Sequence, residues 1–272
     1  LFQPVIKWTG SKRTQSEQII KYFPNKIDCY YEPFLGGGSI LRKLLESNIS
    51  VNKYLCSDIN HDLINLWNEI KNDPKLLSNN YKKLWEELNS DNDINRKKKY
   101  YNKIRERCNL QHNTSDFLFI SRTTVNGLIR YNKLGNLNNS FHLTRNGIIP
   151  ETMSKILFEW SSLIQNVEFE CFSYDKIISE ENDFIYLDPP YFATKGIYYG
   201  TIDYEYFWKW LGKQNGRYIL SFDGKTNKED YTINIPKNIY NKHEYLYAGN
   251  SSFRRIIGKS KNTYVSESIY IK

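Results

Sequence analysis

Two adjacent prolines at the end of an apolar run limit what this chain can fold into more than any other feature. Phe184-Ile185-Tyr186-Leu187 reads as a buried strand, and Asp188-Pro189-Pro190-Tyr191 follows it directly. Neither proline can donate to a ladder and each fixes its own φ, so the strand must stop there in a stiff extended turn. Other strand-like runs surround it in sequence. Cys29 to Phe34 is β-rich and runs into Leu35-Gly36-Gly37-Gly38-Ser39, after which Ile40, Leu41, Leu44 and Leu45 fall at helical spacing. Val51 to Ser57 reads as a strand closing on Asp58, and Val167–Cys171, Arg217–Phe222, Glu244–Ala248 and Ser266–Ile271 read likewise. With helical patterns between them, this is the rhythm of an open, largely parallel α/β sheet that takes ligands at its strand ends.

The middle of the chain is different. Leu63–Ile70, Leu76–Leu88 and the basic stretch Arg96–Cys108 are helical in pattern, and no acidic residue occurs between Asp116 and Glu151. Arg122, Arg130, Lys133 and Arg145 fall in that interval, and Arg130 to His142 is expected to form a hairpin with its turn at Lys133–Asn136. The expected organisation is a catalytic and cofactor-binding domain made of 1–60 and 166–272. A mostly helical insertion over 61–165 carries the hairpin.

The diproline turn has a specific chemical use. It can hold the Asp188 carboxylate and the Pro189 carbonyl as two converging acceptors, with the Tyr191 ring beside them. An exocyclic aromatic amine needs two acceptors and a stacking face. Its lone pair is conjugated with the ring, and hydrogen bonds from both amino protons draw the nitrogen toward a tetrahedral geometry and stabilise the charge that develops on it. The same four residues also suit an ordinary turn. The glycine turn at 36–38 lets backbone amides approach a ligand, and it lacks the full G-x-G-x-x-G spacing of a nicotinamide-nucleotide site. Asp58, about twenty residues further on, suits either a ribose hydroxyl pair or a helix N-cap. Trp8-Thr9-Gly10-Ser11-Lys12-Arg13 leads into a helical stretch, so its amides and Lys12 can hold a carboxylate or phosphate; a plain surface segment with a buried Trp is the other reading.

Lys and Arg outnumber Asp and Glu by 38 to 30, a net charge of +8, which favours a polyanionic partner. Cys29, Cys56, Cys108 and Cys171 form no C-x-x-C pair, and His61, His112, His142 and His243 are as scattered, so neither a disulfide scaffold nor a metal site is expected. There is no run of eighteen apolar residues and no charged-then-apolar leader, so the expected location is cytoplasmic, away from membranes. The first residue is Leu1 rather than Met, which suggests trimming or processing.

Trp8-Thr9-Gly10-Ser11-Lys12, Glu32-Pro33-Phe34-Leu35-Gly36-Gly37-Gly38-Ser39, Asp58, Asn126-Gly127-Leu128-Ile129-Arg130-Tyr131-Asn132 and Asp188-Pro189-Pro190-Tyr191 occur in one order that resembles the Dam-type, alpha-group adenine-specific DNA methyltransferases. The resemblance covers residues 8 to 191. It implies a class I S-adenosylmethionine-dependent methyltransferase fold, a Rossmann-like seven-stranded sheet, with a target-recognition insertion. It implies S-adenosyl-L-methionine as cofactor, contacted at Trp8, Lys12, Asp58 and Asp188 and lined by Phe34, Gly36 and Gly38, with Asp188, Pro189, Pro190 and Tyr191 as the catalytic loop. The stretch from Leu137 to Arg145 departs from the members that methylate GATC, since Ser140 stands where they place proline.

Double-stranded DNA is the expected partner, with the target adenine flipped out of the helix. Arg130 can pair with the O6 and N7 edge of guanine, and Asn126 or Asn132 can read adenine, whereas Arg122 and Arg145 suit phosphates. Arg254 and Arg255, in the basic loop before the last strand, are candidates for gripping the DNA backbone. A cognate restriction endonuclease is a possible partner, a bacterial or phage source fits, and a monomer or weak dimer suffices. Methylation of cytosine's amino group, of RNA or of protein glutamine, and a catalytically dead DNA-binding relative, are the alternatives.

Overall fold

Seven strands form one sheet: β1 (Lys26–Glu32), β2 (Ser50–Asp58), β3 (Val167–Cys171), β4 (Phe184–Leu187), β5 (Arg217–Thr226), β6 (Lys242–Asn250) and β7 (Tyr264–Ile271). Their order is β3-β2-β1-β4-β5-β7-β6. The first five are parallel, and β7 runs antiparallel between β5 and β6. These features come from a computed structural model that describes residues 2–190, 202–227, 229–250 and 264–272. β1 ends at Glu32, two residues short of the expected Phe34, because Pro33 cannot donate to either neighbour. Strand order reverses between β1 and β4, whose registers meet at Tyr31 and Ile185. The crevice that forms where strand order reverses in an open α/β sheet therefore opens above Glu32 on one side and above Asp188 on the other.

The helices are α1 (Ser16–Ile19), α2 (Ser39–Leu45), α3 (His61–Asn72), α4 (Pro74–Leu88), α5 (Ile94–Gln111), α6 (Thr114–Thr123), α7 (Pro150–Leu163) and α8 (Tyr204–Leu211). Their starts are written in short polar residues. Asn60, Asp73, Asp93, Asn113 and Asp203 each accept a backbone N–H from the first turn that follows, and Pro74 occupies the first position of α4. Helices α3 to α7 all lie between β2 and β3. Their buried residues Leu77, Tyr101, Phe117 and Leu157 join Ile27, Tyr30, Cys56 and Phe169 of the sheet in one hydrophobic core. A second cluster covers the opposite face, where Ile185, Leu187 and Leu220 meet Phe207 and Trp210 of α8. Each fully buried Leu or Phe is worth about 1.5–3 kcal/mol, so both layers are well fastened to the sheet.

The expected hairpin is a loop held by isolated antiparallel bridges, Thr124 to Phe141 and Tyr131 to Leu137. Side chains replace much of the ladder. Asn109 of α5 accepts from the Leu137 N–H at 2.7 Å and donates to its carbonyl at 3.1 Å, as a neighbouring strand would. Buried Asn139 accepts from the Arg130 N–H at 3.1 Å and donates to the Leu128 carbonyl. Arg105 reaches the Asn139 carbonyl at 2.5 Å. No helix among the described residues is long and apolar enough to cross a membrane.

Candidate active site

Four segments far apart in sequence wall one pocket at the carboxyl ends of β1, β2 and β4: Trp8–Lys12, Glu32–Gly37, Asp58–Ile59 and Asp188–Pro190. Sheet topology accounts for the meeting. Glu32, Asp58 and Asp188 sit at or just beyond the ends of adjacent parallel strands, and parallel strands deliver their ends to one edge.

At the glycine turn the backbone takes conformations that a side chain would obstruct. Gly36 has φ +48°, and a Cβ there would lie 2.7 Å from the Trp8 ring. Its N–H donates to Asp58 Oδ2 at 3.2 Å, and its carbonyl accepts from buried Trp67 Nε1 at 3.1 Å. Trp67 belongs to α3, so the helical segment clamps the turn from behind. Gly38 differs from expectation. It caps α2 at φ +66°, packs against Trp67 and Trp160, and is not among the residues that line the pocket.

Asn60, not Asp58, caps α3, at 3.1 Å from the Leu63 N–H. The Asp58 carboxylate instead takes the Gly36 and Asn60 amides and lines the pocket. Burial raises its pKa to about 6, against the lowering effect of those amides. Phe34 also lines the pocket, with Tyr174 and Phe207 packed around it at 5.6 and 6.2 Å between centroids.

Lys12 is buried and donates to Asp188 Oδ2 at 2.7 Å and to the Gly10 carbonyl at 2.9 Å. A second carboxylate, Glu267 on β7, stands 3.7 Å from the same ammonium. The turn after Asp188 is braced, with Pro189 buried and the Pro190 carbonyl accepting from Tyr204 Oη. Tyr191 lies outside the described residues, as do Arg254 and Arg255.

Sequence reasoning gave no individual role to three groups around this pocket. Glu32 lines it while fully desolvated, accepting from Tyr30 Oη at 2.7 Å, and burial lifts its pKa to about 8. Glu267 had a visible signal: it shares a strand face with Val265 and Ile269, an acid where the alternation asks for an apolar residue. Ser11 donates to, or accepts from, Ser39 at 2.8 Å and ties the N-terminal segment to the start of α2.

The predicted DNA-facing residues divide. Arg130 and Arg145 are exposed, and exposed Asn126 holds a left-handed conformation at φ +58°. Asn132 is exposed, and its carboxamide oxygen accepts the Leu134 and Asn136 amides, at 2.9 and 3.0 Å, so it helps to build the turn. Arg122 is a correction. Its guanidinium points inward onto the Pro4 and Val5 carbonyls, and burial lowers its pKa to about 10, so it staples the N-terminal segment to α6. Lys7, unremarked in the sequence, carries a pKa lowered by burial and then by Arg145 and Arg122, which places one cationic group beside the loop. The basic tract of α5 is divided: Lys98, Lys99 and Lys103 are exposed, whereas other members are tied to the protein. Arg107 pairs with buried Asp116 at 2.5 and 2.7 Å, and Lys97 bonds to Asn89 and Asn146.

A sheet of this order with β7 reversed, and a glycine turn and acidic strand ends around one pocket, defines a class I methyltransferase fold. The chain belongs to the D12 class N6 adenine-specific DNA methyltransferase family, whose model matches residues 8–220. It is 34% identical over 203 residues to the type II methyltransferase M.MjaIII of Methanocaldococcus jannaschii, covering 70% of this chain and 69% of that protein. The DNA adenine methylase of Haemophilus influenzae is 32% identical over 199 residues, and that of Escherichia coli K12 is 32% identical over 192; this chain spans 64% of the length of each. The rRNA methyltransferase aviRa of Streptomyces viridochromogenes superposes with a TM-score of 0.38 at 12% identity, over 95% of this chain and 82% of its own, too distant to add to the strand order.

Proposed function

We propose that this chain methylates the N6 amino group of adenine in double-stranded DNA, with S-adenosyl-L-methionine as the donor and Asp188–Tyr191 as the catalytic loop. The observation that carries the reading is the convergence of the Trp8–Lys12 segment, the glycine turn, Asp58 and Asp188 on one pocket. Its walls fit the donor. Gly36 leaves backbone room beside the Trp8 ring, Phe34 offers an aromatic face, and Asp58 presents a carboxylate suited to ribose hydroxyls. Lys12 supplies a cation for a carboxylate group. When bound, S-adenosylmethionine supplies a methyl group on a positively charged sulfur, ready for attack by a nitrogen lone pair.

The protein's part is positioning and electrostatics. Asp188 and the Pro189 carbonyl accept hydrogen bonds from the two amino N–H groups of adenine and draw its nitrogen out of conjugation. The one proton displaced by the methyl group leaves the nitrogen after attack, by way of Asp188 to solvent. Lys12 fixes one oxygen of Asp188 at 2.7 Å, and the diproline turn, braced by Tyr204, keeps the carboxylate and the carbonyl in register. Tyr191, next in sequence, is the expected stacking surface for an unstacked base. The incoming DNA is gripped by the segment 61–165 as a recognition insertion, with Arg130 on guanine and Arg145 and Lys7 on phosphates. The basic loop with Arg254 and Arg255 adds backbone contacts. The reaction is completed in the cytoplasm by a monomer or weak dimer, with or without a restriction endonuclease as partner.

Asp188→Ala tests this directly. Transfer of labelled methyl groups to duplex DNA should fall about 100- to 1000-fold, on the scale of loss seen when a transition-state acceptor or donor is removed. The variant should keep a folded circular dichroism spectrum, although buried Lys12 loses this partner and the melting temperature drops. Nucleoside digestion of the parent's product should give N6-methyladenine. Persistent methylation by the variant sinks the catalytic assignment, and a methylated cytosine sinks the substrate.

A further inference from the structure

A hydrogen bond ties the loop that carries Arg130 to the residues behind the cofactor pocket. Asn60 is 2% exposed and uses both ends of its carboxamide. Its Oδ1 caps α3, and its Nδ2 donates to Tyr131 Oη at 2.7 Å. The Asn60 N–H, in turn, donates to Asp58 at 3.0 Å, and the other Asp58 oxygen takes the Gly36 amide. Tyr131 directly follows Arg130 and bridges to Leu137, which Asn109 holds. A continuous chain of bonds therefore runs from the glycine turn, through Asp58 and Asn60, to the loop.

We infer that the Asn60–Tyr131 bond is the strut through which cofactor and DNA assist each other's binding. Tyr131 is a positioning residue for the Arg130 loop, and touches neither ligand itself. The inference rests on the functional reading above. A ligand that fixes the Asp58 carboxylate fixes the Asn60 backbone and so the donor that Tyr131 accepts. DNA that fixes the loop restrains the same bond from its other end. Binding linkage then requires the effect to be reciprocal and equal in size. The bond is part-buried, with Asn60 2% exposed, and burial raises the Tyr131 pKa well above the usual phenol range, so the hydroxyl stays protonated. A neutral bond of this kind is not screened by salt as an ion pair would be.

Tyr131→Phe removes the hydroxyl and leaves the ring. S-adenosylhomocysteine, which has no methyl group to transfer, is titrated into parent and variant with and without saturating duplex DNA from a strain lacking DNA methylation. In the parent, DNA should tighten S-adenosylhomocysteine about 5-fold or more, within the range usual for linked sites. In Tyr131→Phe its affinity without DNA should stay within about 2-fold of the parent, and the DNA effect should fall below about 2-fold. Asn60→Ser keeps a helix cap but cannot reach the loop. It should lose the same coupling, and the double variant should lose no more than either single one, since both changes break one bond. Equal coupling in parent and Tyr131→Phe, or no coupling in the parent, overturns the inference while leaving the proposed function standing. Failure of S-adenosylhomocysteine to bind the parent removes the functional reading and the inference together. Circular dichroism and melting curves confirm that each variant is folded.

Discussion

Asp58 shows how much a single side chain can reveal about the chemistry of its pocket. It is held at the end of β2 by two amides, and burial has raised its pKa to about 6. Only the ionised form has acceptors alone to offer a pair of ribose hydroxyls. Cofactor affinity should therefore be flat above pH ~7 and weaken about tenfold for each pH unit below ~6, as a proton competes for the carboxylate. Asp58→Asn should bind more weakly at neutral pH and lose this pH dependence. Isothermal titration of S-adenosylhomocysteine between pH 5 and 8 measures both, and an unchanged acid limb in the variant would assign the proton elsewhere.

Among the elements, the bridged loop at 124–142 is the one whose form depends most on its neighbours. Asn109 stands in for a strand by bonding both backbone groups of Leu137. Asn109→Ala leaves those groups to water, at a cost of about 1–3 kcal/mol if they remain buried. Because the loss is confined to one loop, the global melting temperature should move by only a few degrees. Cleavage by trypsin at Arg130 or Lys133 should accelerate several-fold, and DNA affinity should fall with it; unchanged cleavage would mean that the bridges hold the loop without Asn109. This dependence also explains what was legible in advance. The strands could be read because alternation, prolines and glycines are local signals, and β3 and β4 lie at their expected bounds. Helix α6 could not be singled out. Eight of its ten residues are buried, so no apolar stripe distinguishes one face from another. The structural roles of Arg107 and Arg122 were hidden for a related reason: their partners are defined by the packing of separate elements, whereas their charge alone suggests an exposed binding residue. The pocket itself was largely visible, since its acidic residues stand at strand ends that sequence pattern can locate. Glu32 was visible as part of the glycine-turn motif, but its burial depends on the packing around β1 and could not be read from the motif.

At the scale of the whole molecule, electrostatics act in two opposed ways. The excess of cations outside favours a polyanion, and each phosphate neutralised adds about −0.9 to the slope of log affinity against log salt. Arg145→Ala should make that slope shallower by about 1 in a DNA-binding titration from 50 to 300 mM salt; an unaltered slope would exclude it as a phosphate contact. Inside, a buried acid works against folding. Glu32 lies at the centre of the sheet edge with its pKa raised to about 8, while in the unfolded chain it titrates near 4.3. Between those values the folded protein keeps a proton that the unfolded chain has released. The difference in bound protons is then negative for unfolding, and stability falls as pH rises, by roughly 1.4 kcal/mol per pH unit within that window. The contribution is fully present below ~4.3 and is lost as pH climbs through about 8. Glu32→Gln is neutral in both states, so its stability should vary less over pH 5 to 8 and should exceed the parent's most at the alkaline end. Urea unfolding at several pH values measures this term, since the other titrating groups are common to both proteins and cancel in the difference. Parallel stability curves for the two would mean that Glu32 is already ionised in the folded protein, and that Tyr30 and the Leu41 amide solvate it well enough to offset its burial.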